Sequence, residues 1–118
     1  RLIQSGQLQA LKSKGVEIHS RSVFLQGILL NFNDLPKYFK TWEKQFNEYQ
    51  KMVKESEMSL LEYALNFALS TQEVDKVLVG VDSKQQLQEI VRSLKKHGNP
   101  DAYTISDINL LNPNMWKV

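Results

Sequence analysis

Cysteine is absent from this sequence, and proline and long apolar runs are scarce. The 118 residues contain no Cys and only 3 Pro, which excludes a disulfide framework and a thiolate metal site. No apolar stretch approaches the roughly 20 residues that a membrane-spanning helix needs. We therefore expect no metal, no membrane partner, no signal peptide and a location in the cytoplasm.

Neither sign of charge is in large excess. The 15 Lys and Arg residues stand against 13 Asp and Glu, and the basic residues are spread along the chain instead of forming one block. We therefore expect no nucleic-acid partner. With 42% hydrophobic residues, a chain of this length can bury about two thirds of its unfolded surface. The composition predicts one domain with a sizeable core.

The first third of the sequence contains the pattern of a short helix and a short strand. "SGQLQALKSKG" puts Ser5 at a capping position, Leu8 and Leu11 on one face, and Gly15 after the last turn. This is the usual order of helix start and stop signals. "VEIHS", residues 16–20, alternates apolar and polar side chains, which predicts a strand.

Two helices are predicted next. After Pro36, apolar residues recur at steps of three and four and form one aromatic stripe, which we interpret as core or interface and not as a ligand cage. The stripe consists of Phe39, Trp42, Phe46, Tyr49 and Val53. In "MSLLEYALNFALSTQ", Ser59 and Glu62 have capping-box spacing, and Met58 and Tyr63 stand in the staple positions. Its polar residues form one narrow stripe, so we expect this helix to be covered on most sides.

The last third begins with "KVLVGV", residues 76–81, which is apolar almost throughout, as is typical of a parallel strand buried on both faces. Ser83 and Gln86 offer a second capping box, and Gly98 ends the helix that follows. The apolar face of that helix consists of Leu87, Ile90, Val91 and Leu94. We expect the tail, residues 99–118, to lie against the body of the protein.

The order of these elements points to an incomplete sheet. Strands separated by helices pair in parallel through crossover connections, and parallel sheets occur almost only with both faces covered. Two strands cannot form such a sheet alone, and the chain opens with Arg1-Leu2-Ile3 instead of Met. We therefore expect either a truncated piece of a longer protein or a chain that completes itself with further copies.

Polar and glycine residues follow both predicted strands. Ser20 and Ser22 could donate hydrogen bonds to phosphate oxygens, and Gly27 could allow a close approach of the backbone. Gly80 leads into a helix whose free N–H groups could receive an anion. A tight turn at Gly80 and a helix cap at Ser83 explain the same residues without a ligand. The residues alone leave both explanations open.

Three segments together resemble one known family. "LKSKGVEIHSRSVFLQGILL", "LLEYALNFALSTQEVDKVLVGVDSKQQLQEIV" and "LLNPNMW" are similar, over nearly the whole chain, to the C-terminal part of aldo/keto reductases. The resemblance implies an α/β fold, namely a C-terminal fragment of a (β/α)8 TIM barrel that is mostly helical with two short parallel strands. Residues 1–118 would be one partial domain. The parent protein would be an oxidoreductase that uses NADP(H) or NAD(H) with a carbonyl substrate.

The resemblance also implies which residues bind the cofactor. Ser22, Phe24 and Gly27 match the loop that passes along the pyrophosphate. A second set matches the turn and helix that hold the adenosine half, namely Gly80, Val81, Asp82, Ser83, Gln86 and Glu89. Arg21 stands where the family usually has an aromatic residue that stacks on the nicotinamide, so we expect its guanidinium to stack there or to bind a phosphate.

Other departures from the family pattern leave the choice between NADP and NAD open. Ile90 stands where many members carry Asn, which removes a polar contact to adenine. The charge of Asp82 would oppose a 2′-phosphate. In the family, a tyrosine assisted by lysine, aspartate and histidine performs the chemistry, and the resemblance places all four N-terminal to this segment. We assign no catalytic residue: His19 is interpreted as a packing residue and His97 as a cation at a helix end.

Two functional hypotheses follow. The chain is a segment of an oxidoreductase that carries part of the cofactor site and no chemistry of its own, or it is an interaction module that has kept the barrel's sequence. The second would use the aromatic helix and the exposed strands for self-association. In isolation we expect a homo-oligomer to which residues 38–53 contribute.

Overall fold

The computed structural model describes residues 3, 5–95 and 98–117. Its elements follow the predicted order of helix, strand, two helices, strand and helix. The α-helices and strands are α1 (Gln7–Ser13), β1 (His19–Ser20), α2 (Glu43–Glu55), α3 (Leu60–Ser70), β2 (Lys76–Val77), α4 (Lys84–Ser93) and α5 (Ile108–Leu111). Short 3₁₀ helices span Ile28–Leu30, Lys37–Trp42 and Pro113–Met115. The predicted cation at His97 lies outside the described residues. Within the described part, no helix combines the length and hydropathy needed to cross a membrane.

The two strands pair in parallel, as predicted, but they are shorter than the sequence pattern indicates. His19 is opposite Lys76 and Ser20 is opposite Val77. The flanking N–H of Leu78 donates to the carbonyl of Ser20 at 2.8 Å. The predicted strands over 16–20 and 76–81 are wrong in length, and Leu78 is half exposed instead of buried. Among the described residues each strand pairs only with the other, so no third strand extends the sheet.

Helix α1 is tied to the strand pair by charge. The Lys12 ammonium contacts the Asp75 carboxylate at 2.6 Å, and the other oxygen of that carboxylate accepts from the Ile18 N–H at 2.7 Å. Gly15, with φ +73°, follows the C-cap Lys14 and stops the helix, as predicted. The predicted N-cap is wrong: Gly6 occupies that position, and the Ser5 hydroxyl accepts from the Gln7 N–H at 3.4 Å. Of the predicted apolar pair, Leu8 is buried and Leu11 is exposed.

The aromatic stripe forms the centre of the molecule. All five of its residues are buried, and Phe39 is only 2% exposed. The rings of its four aromatic residues contact one another or the ring of Phe32 at centroid distances of 5.3 to 6.4 Å. The prediction of a core stripe is therefore confirmed. The contribution of residues 38–53 to a contact between copies stays a prediction, and the burial of the stripe leaves the other faces of these residues for it.

Helix α3 begins with both halves of the predicted capping box. Ser59 accepts from the Glu62 N–H at 3.2 Å, and the Glu62 carboxylate accepts from the Ser59 N–H at 2.8 Å. Met58 packs against the buried cluster that contains Tyr63, which is consistent with the predicted staple. Two of the three polar residues of this helix, Glu62 and Asn66, are buried, whereas Ser70 is exposed. The Asn66 amide donates to the Glu62 carbonyl at 2.8 Å. Covered on most sides, α3 lies between the aromatic core and α4.

The tail lies against the body, as predicted. The Tyr38 hydroxyl donates to the carbonyl of Asn109 at 3.0 Å, and the Tyr63 hydroxyl donates to the carbonyl of Asp101 at 2.8 Å. Leu110 is 1% exposed and Trp116 packs on Phe39. These contacts complete the aromatic core from the C-terminal side.

Helix α4 carries an apolar face that is mostly uncovered. Only Ile90 of the four predicted residues is buried, whereas Leu87, Val91 and Leu94 are each more than 40% exposed. This arrangement confirms the predicted amphipathic helix, but three of the four residues of its apolar face are exposed. The helix meets α3 on one side and borders a groove on the other.

Candidate functional site

A groove opens at the carboxyl ends of the two parallel strands. Its volume is about 1180 Å³. One wall is the loop that follows β1, another is the chain after β2, and the remaining walls come from the start of α3 and from α4. Parallel α/β sheets bind ligands at this edge, because the connecting loops and the helix N-termini meet there. The groove is therefore the candidate site.

Most of the residues predicted from the sequence meet in this groove. Eight of the ten line it, namely Arg21, Ser22, Phe24, Gly27, Gly80, Asp82, Gln86 and Glu89. Val81 and Ser83 do not line it. The Ser83 side chain is the N-cap of α4 and accepts from the Gln86 N–H at 3.2 Å. The structure thus brings the two predicted sets together, although they are more than 50 residues apart in the sequence.

The loop after β1 has an unusual backbone. Ser22, Leu25 and Gln26 have φ values of 58°, 47° and 56°, and Gly27 has 84°. Left-handed conformations cost about 1 kcal/mol or more at residues with a side chain. Two turns hold the loop: the Leu25 N–H donates to the Ser22 carbonyl at 2.9 Å, and the Gly27 N–H donates to the Phe24 carbonyl at 3.0 Å. The sharp winding turns Ser22 and Phe24 into the same groove.

The two glycines of the groove have different explanations. At Gly27 the positive φ explains the residue, because other residues adopt it with strain. Gly80 has no such φ, and a Cβ added there would have no heavy atom within 4 Å. Neither the backbone conformation nor the packing of this chain requires a glycine at position 80. A turn that needs glycine for a positive φ, one form of the sequence-based explanation, therefore does not account for Gly80.

The start of α4 is capped by its own side chains. Ser83 accepts from the N–H of Gln86, and the Gln86 side chain accepts from the N–H of Asp82 at 2.7 Å. The predicted capping box is thus half right, because Gln86 reaches back to Asp82 and not to Ser83. The prediction that free N–H groups at this position could receive an anion is wrong for the N–H groups of Asp82 and Gln86. Both already have an acceptor.

Charges of both signs face the groove. Arg21 and Arg92 supply two guanidinium groups, and Asp82 and Glu89 supply two carboxylates. Glu89 accepts from the amide of Gln85 at 3.2 Å. Within the described part of the chain, neither arginine makes an ion pair. The groove can thus offer hydrogen bonds and charge to a ligand that has both anionic and hydroxyl groups.

Sequence reasoning missed the wall at the start of α3 and the C-terminal part of the α4 wall. Ser59 and Leu60 at the start of α3, and Arg92 and Ser93 in α4, also line it. Helical periodicity could have found the last two, because they follow Glu89 by three and four residues and share its face. The start of α3 gave no such signal, since its position depends on packing between elements distant in the sequence.

His19 and the four tyrosines do not line the groove. His19 is exposed and pairs with Glu17, so its interpretation as a packing residue is wrong. The Lys76 ammonium, at 2.9 Å, and His19 both lower the pKa of the Glu17 carboxyl. Burial raises the pKa of Tyr49 to about 12. Among the described residues, no three acidic or histidine side chains come together as metal ligands would.

Comparison with known proteins agrees with this arrangement. A search of curated proteins finds no match to the sequence. Residues 1–112 of the 118 match the profile of the Aldo/keto reductase family, which confirms the resemblance inferred from the three segments. The parallel strand pair and the predominantly helical remainder are consistent with part of an α/β fold. The chain belongs to the aldo/keto reductase family, whose members are oxidoreductases.

Proposed function

We propose that this chain is the C-terminal segment of a cytoplasmic aldo/keto reductase and carries part of its dinucleotide-binding site. The parent enzyme would transfer a hydride between NADP(H) or NAD(H) and a carbonyl substrate. The observation that carries the proposal is the groove: eight residues predicted from two distant segments line one cleft at the carboxyl edge of the parallel strands. β1 and β2 would then be the seventh and eighth strands of a (β/α)8 barrel.

The groove suggests how the dinucleotide lies. The wound loop from Ser22 to Gly27 would run along the pyrophosphate, with Arg21 at its start. The adenosine half would extend past Gly80 towards Gln86 and Glu89 on α4. The open space above Gly80 supports this path, because a bound group could approach the backbone there without meeting a side chain.

We assign no catalytic residue to this chain. A reductase needs a positioned acid beside the carbonyl oxygen, and the hydroxyl groups of the tyrosines that make hydrogen bonds here serve the fold. Tyr38 and Tyr63 donate to tail carbonyls, and Tyr103 donates to Glu48. The acid and its assisting residues would come from the rest of the barrel. The isolated chain is therefore expected to give no turnover of NADPH with aldehydes or ketones.

An NMR titration tests the cofactor site at the weak affinity expected of half a site, on the order of millimolar. The amide signals of Gly27 and Gly80 should shift when NADH or NADPH is added, because both glycines line the groove. Gly15 and Gly98 do not line it and provide internal controls. Equal shifts at all four glycines, or none with either dinucleotide, would contradict the proposal.

Self-association is a second candidate function, favoured by the uncovered face of α4. Leu87, Val91 and Leu94 form an exposed apolar row, and each strand has one unpaired edge among the described residues. Exposed edges and apolar patches favour pairing with further copies. Sedimentation equilibrium should then show a homo-oligomer, and Leu87→Gln with Val91→Gln should shift it to the monomer. Ile108→Gln, at an exposed position on α5, is the matched control. A wild-type monomer would exclude this function.

A further inference from the structure

We propose that Met58 is a redox-sensitive contact: oxidation of its sulfur by a peroxide releases the segment that follows α4, residues 98–103, from the corner between α2 and α3. The modification is covalent and reversible, and the position of the segment reports its state. Met58 does not line the groove, so this site is separate from the one proposed for the cofactor.

The Met58 side chain joins two parts of the molecule. It is partly buried and packs on the cluster of Tyr49, Val53 and Tyr63. A Cβ built on Gly98 would overlap the terminal methyl of Met58 and would lie 3.2 Å from its sulfur. The methyl group therefore rests on the α-carbon of Gly98, and the glycine leaves room for it. Met58 thus links the corner between α2 and α3 to the chain that leaves α4.

The segment after α4 depends on side-chain contacts for its position. Residues 98–107 form neither helix nor strand. Pro100 is buried, and the Tyr63 hydroxyl donates to the Asp101 carbonyl at 2.8 Å. Together with Met58 on Gly98, these contacts hold the first part of the segment. Opening a segment of this kind has a low free-energy cost because it breaks few contacts.

The sulfur of Met58 is a thioether, which reacts with a peroxide as a nucleophile. A sulfur lone pair attacks one peroxide oxygen and the O–O bond breaks. The transferred oxygen gives its proton to the departing hydroxide, which leaves as water. The sulfur loses two electrons and the peroxide gains them, and the product is methionine sulfoxide.

The sulfoxide does not suit the surroundings of the thioether. Its oxygen is polar and would lie beside the aromatic and aliphatic side chains of the cluster, where an unpaired polar group is costly. The Tyr63 hydroxyl already donates to the Asp101 carbonyl, so pairing it with the sulfoxide would break a bond that holds the segment. Rotation of the oxidised side chain towards solvent would remove the methyl group from Gly98. Both responses free the segment.

The test uses the full chain, in which the three methionines are Met52, Met58 and Met115. Met52→Leu with Met115→Leu leaves Met58 to be oxidised. Met58→Leu with Met115→Leu leaves Met52, which packs on the same cluster and is the matched control. Each protein is treated with hydrogen peroxide until mass spectrometry shows one added oxygen atom per chain. Chymotrypsin then reports the structure, because cleavage after Tyr103 requires release of the segment and cleavage after Tyr49 requires unfolding of α2.

Oxidation of the protein that keeps Met58 should raise the rate of cleavage after Tyr103 about tenfold, the factor that corresponds to loss of one contact of this kind. Cleavage after Tyr49 should keep its rate, and reduction by a methionine sulfoxide reductase should restore the rate at Tyr103. Oxidation of the protein that keeps Met52 should cause no selective rise at Tyr103.

Four results would overturn the proposal. Met58 could stay reduced while Met115 of the wild type is oxidised, or the rate after Tyr103 could stay unchanged on oxidation of Met58. An equal rise at Tyr49 would show that Met58 supports the whole fold and does not release one segment. An equal selective rise in the protein that keeps Met52 would assign the effect to the cluster and not to the contact with Gly98.

Discussion

The indole N–H of Trp42 donates to the carboxylate of Asp107 at 3.0 Å and so joins the aromatic core to the tail across 65 residues of sequence. The other oxygen of the carboxylate accepts from the Asn109 N–H at 2.9 Å and caps α5. These two hydrogen bonds, with the one to Asn109 contributing more, lower the pKa of the Asp107 carboxyl. The Asp107 side chain thus bonds both to Trp42 in the core and to the first turn of α5 in the tail.

Trp42→Phe tests the contribution of this bond. The substitution removes the donor and part of a buried ring, and Trp42 is only 6% exposed. We expect the free energy of unfolding to fall by about 1 to 3 kcal/mol. Urea unfolding followed by circular dichroism measures it. Asp107→Ala should act in the same direction, and the two changes should be less than additive because they remove one shared bond.

Acid should weaken the link between α1 and the strand pair. The hydrogen bond from the Ile18 backbone and then that from Lys12 lower the pKa of the Asp75 carboxyl below its ordinary value of 3.8. A lowered pKa in the folded state means that this stabilisation is present above pH 3.8 and is lost as the pH falls through the folded value.

Asp75→Asn should therefore lower the stability at neutral pH and make little difference in strong acid. Unfolding midpoints of the two proteins at several pH values would show curves that converge below pH 3.8. Asp34→Asn is the matched control for loss of an exposed carboxylate. A constant gap between wild type and Asp75→Asn at every pH would contradict the role of its charge.

Leu110→Ala tests whether the tail belongs to the core. Leu110 is 1% exposed and lies in the cluster with Phe39 and Trp42. Loss of its side chain should lower the free energy of unfolding by about 2 to 5 kcal/mol. Ile108→Ala, on the same short helix but 44% exposed, should change it by less than about 1 kcal/mol. Equal effects would show that the tail does not pack as described.

Local signals in the sequence predicted the parts of the fold that depend on neighbouring residues. The capping box of Ser59 and Glu62, the stop at Gly15 and the aromatic stripe are all set by residues within one or two helical turns. The strands were predicted too long, because alternation at residues 16–20 reports a preference for extended chain and not the presence of a partner. Only Ser20 and its neighbours find one in β2.

The candidate site was predictable only through the family resemblance. Arg21 and Asp82 are 61 positions apart, and no spacing rule places them in one groove. The hydrogen bonds at the start of α4 could not be predicted from the sequence either. The Gln86 side chain could have accepted from the Ser83 N–H and instead accepts from the Asp82 N–H. That choice depends on the rotamer of a single side chain.

Alkaline pH should loosen the tail from α2. The Tyr103 hydroxyl donates to the Glu48 carboxylate at 2.6 Å. Burial of the ring, followed by this carboxylate, raises the pKa of Tyr103 to about 12 from 10. A raised pKa in the folded state means that the stabilisation is complete below pH 10 and is lost as the pH rises through the folded value.

The tyrosinate absorbance of the wild type should accordingly include a component near pH 12, to which Tyr103 and Tyr49 both contribute. Tyr103→Phe should reduce that component by the contribution of one tyrosine, and Glu48→Gln should move the Tyr103 contribution towards pH 10. Tyr38→Phe serves as the control, since the Tyr38 hydroxyl donates to backbone carbonyls and not to a carboxylate. Titration of Tyr103 at its ordinary pKa in the folded wild type would contradict the contact.

The two glycines of the groove should respond differently to alanine. Gly27→Ala places a side chain at φ +84°, which should lower the free energy of unfolding by about 1 kcal/mol. Gly80→Ala adds a Cβ into open space at an ordinary φ, so the stability should change by less than about 0.5 kcal/mol. If the dinucleotide passes over Gly80, Gly80→Ala should nevertheless weaken the binding of NADH in the NMR titration.

A Gly80→Ala protein that is destabilised as much as Gly27→Ala would show that position 80 serves the chain's own turn. One that keeps both its stability and its affinity would show that the cofactor does not approach the backbone there.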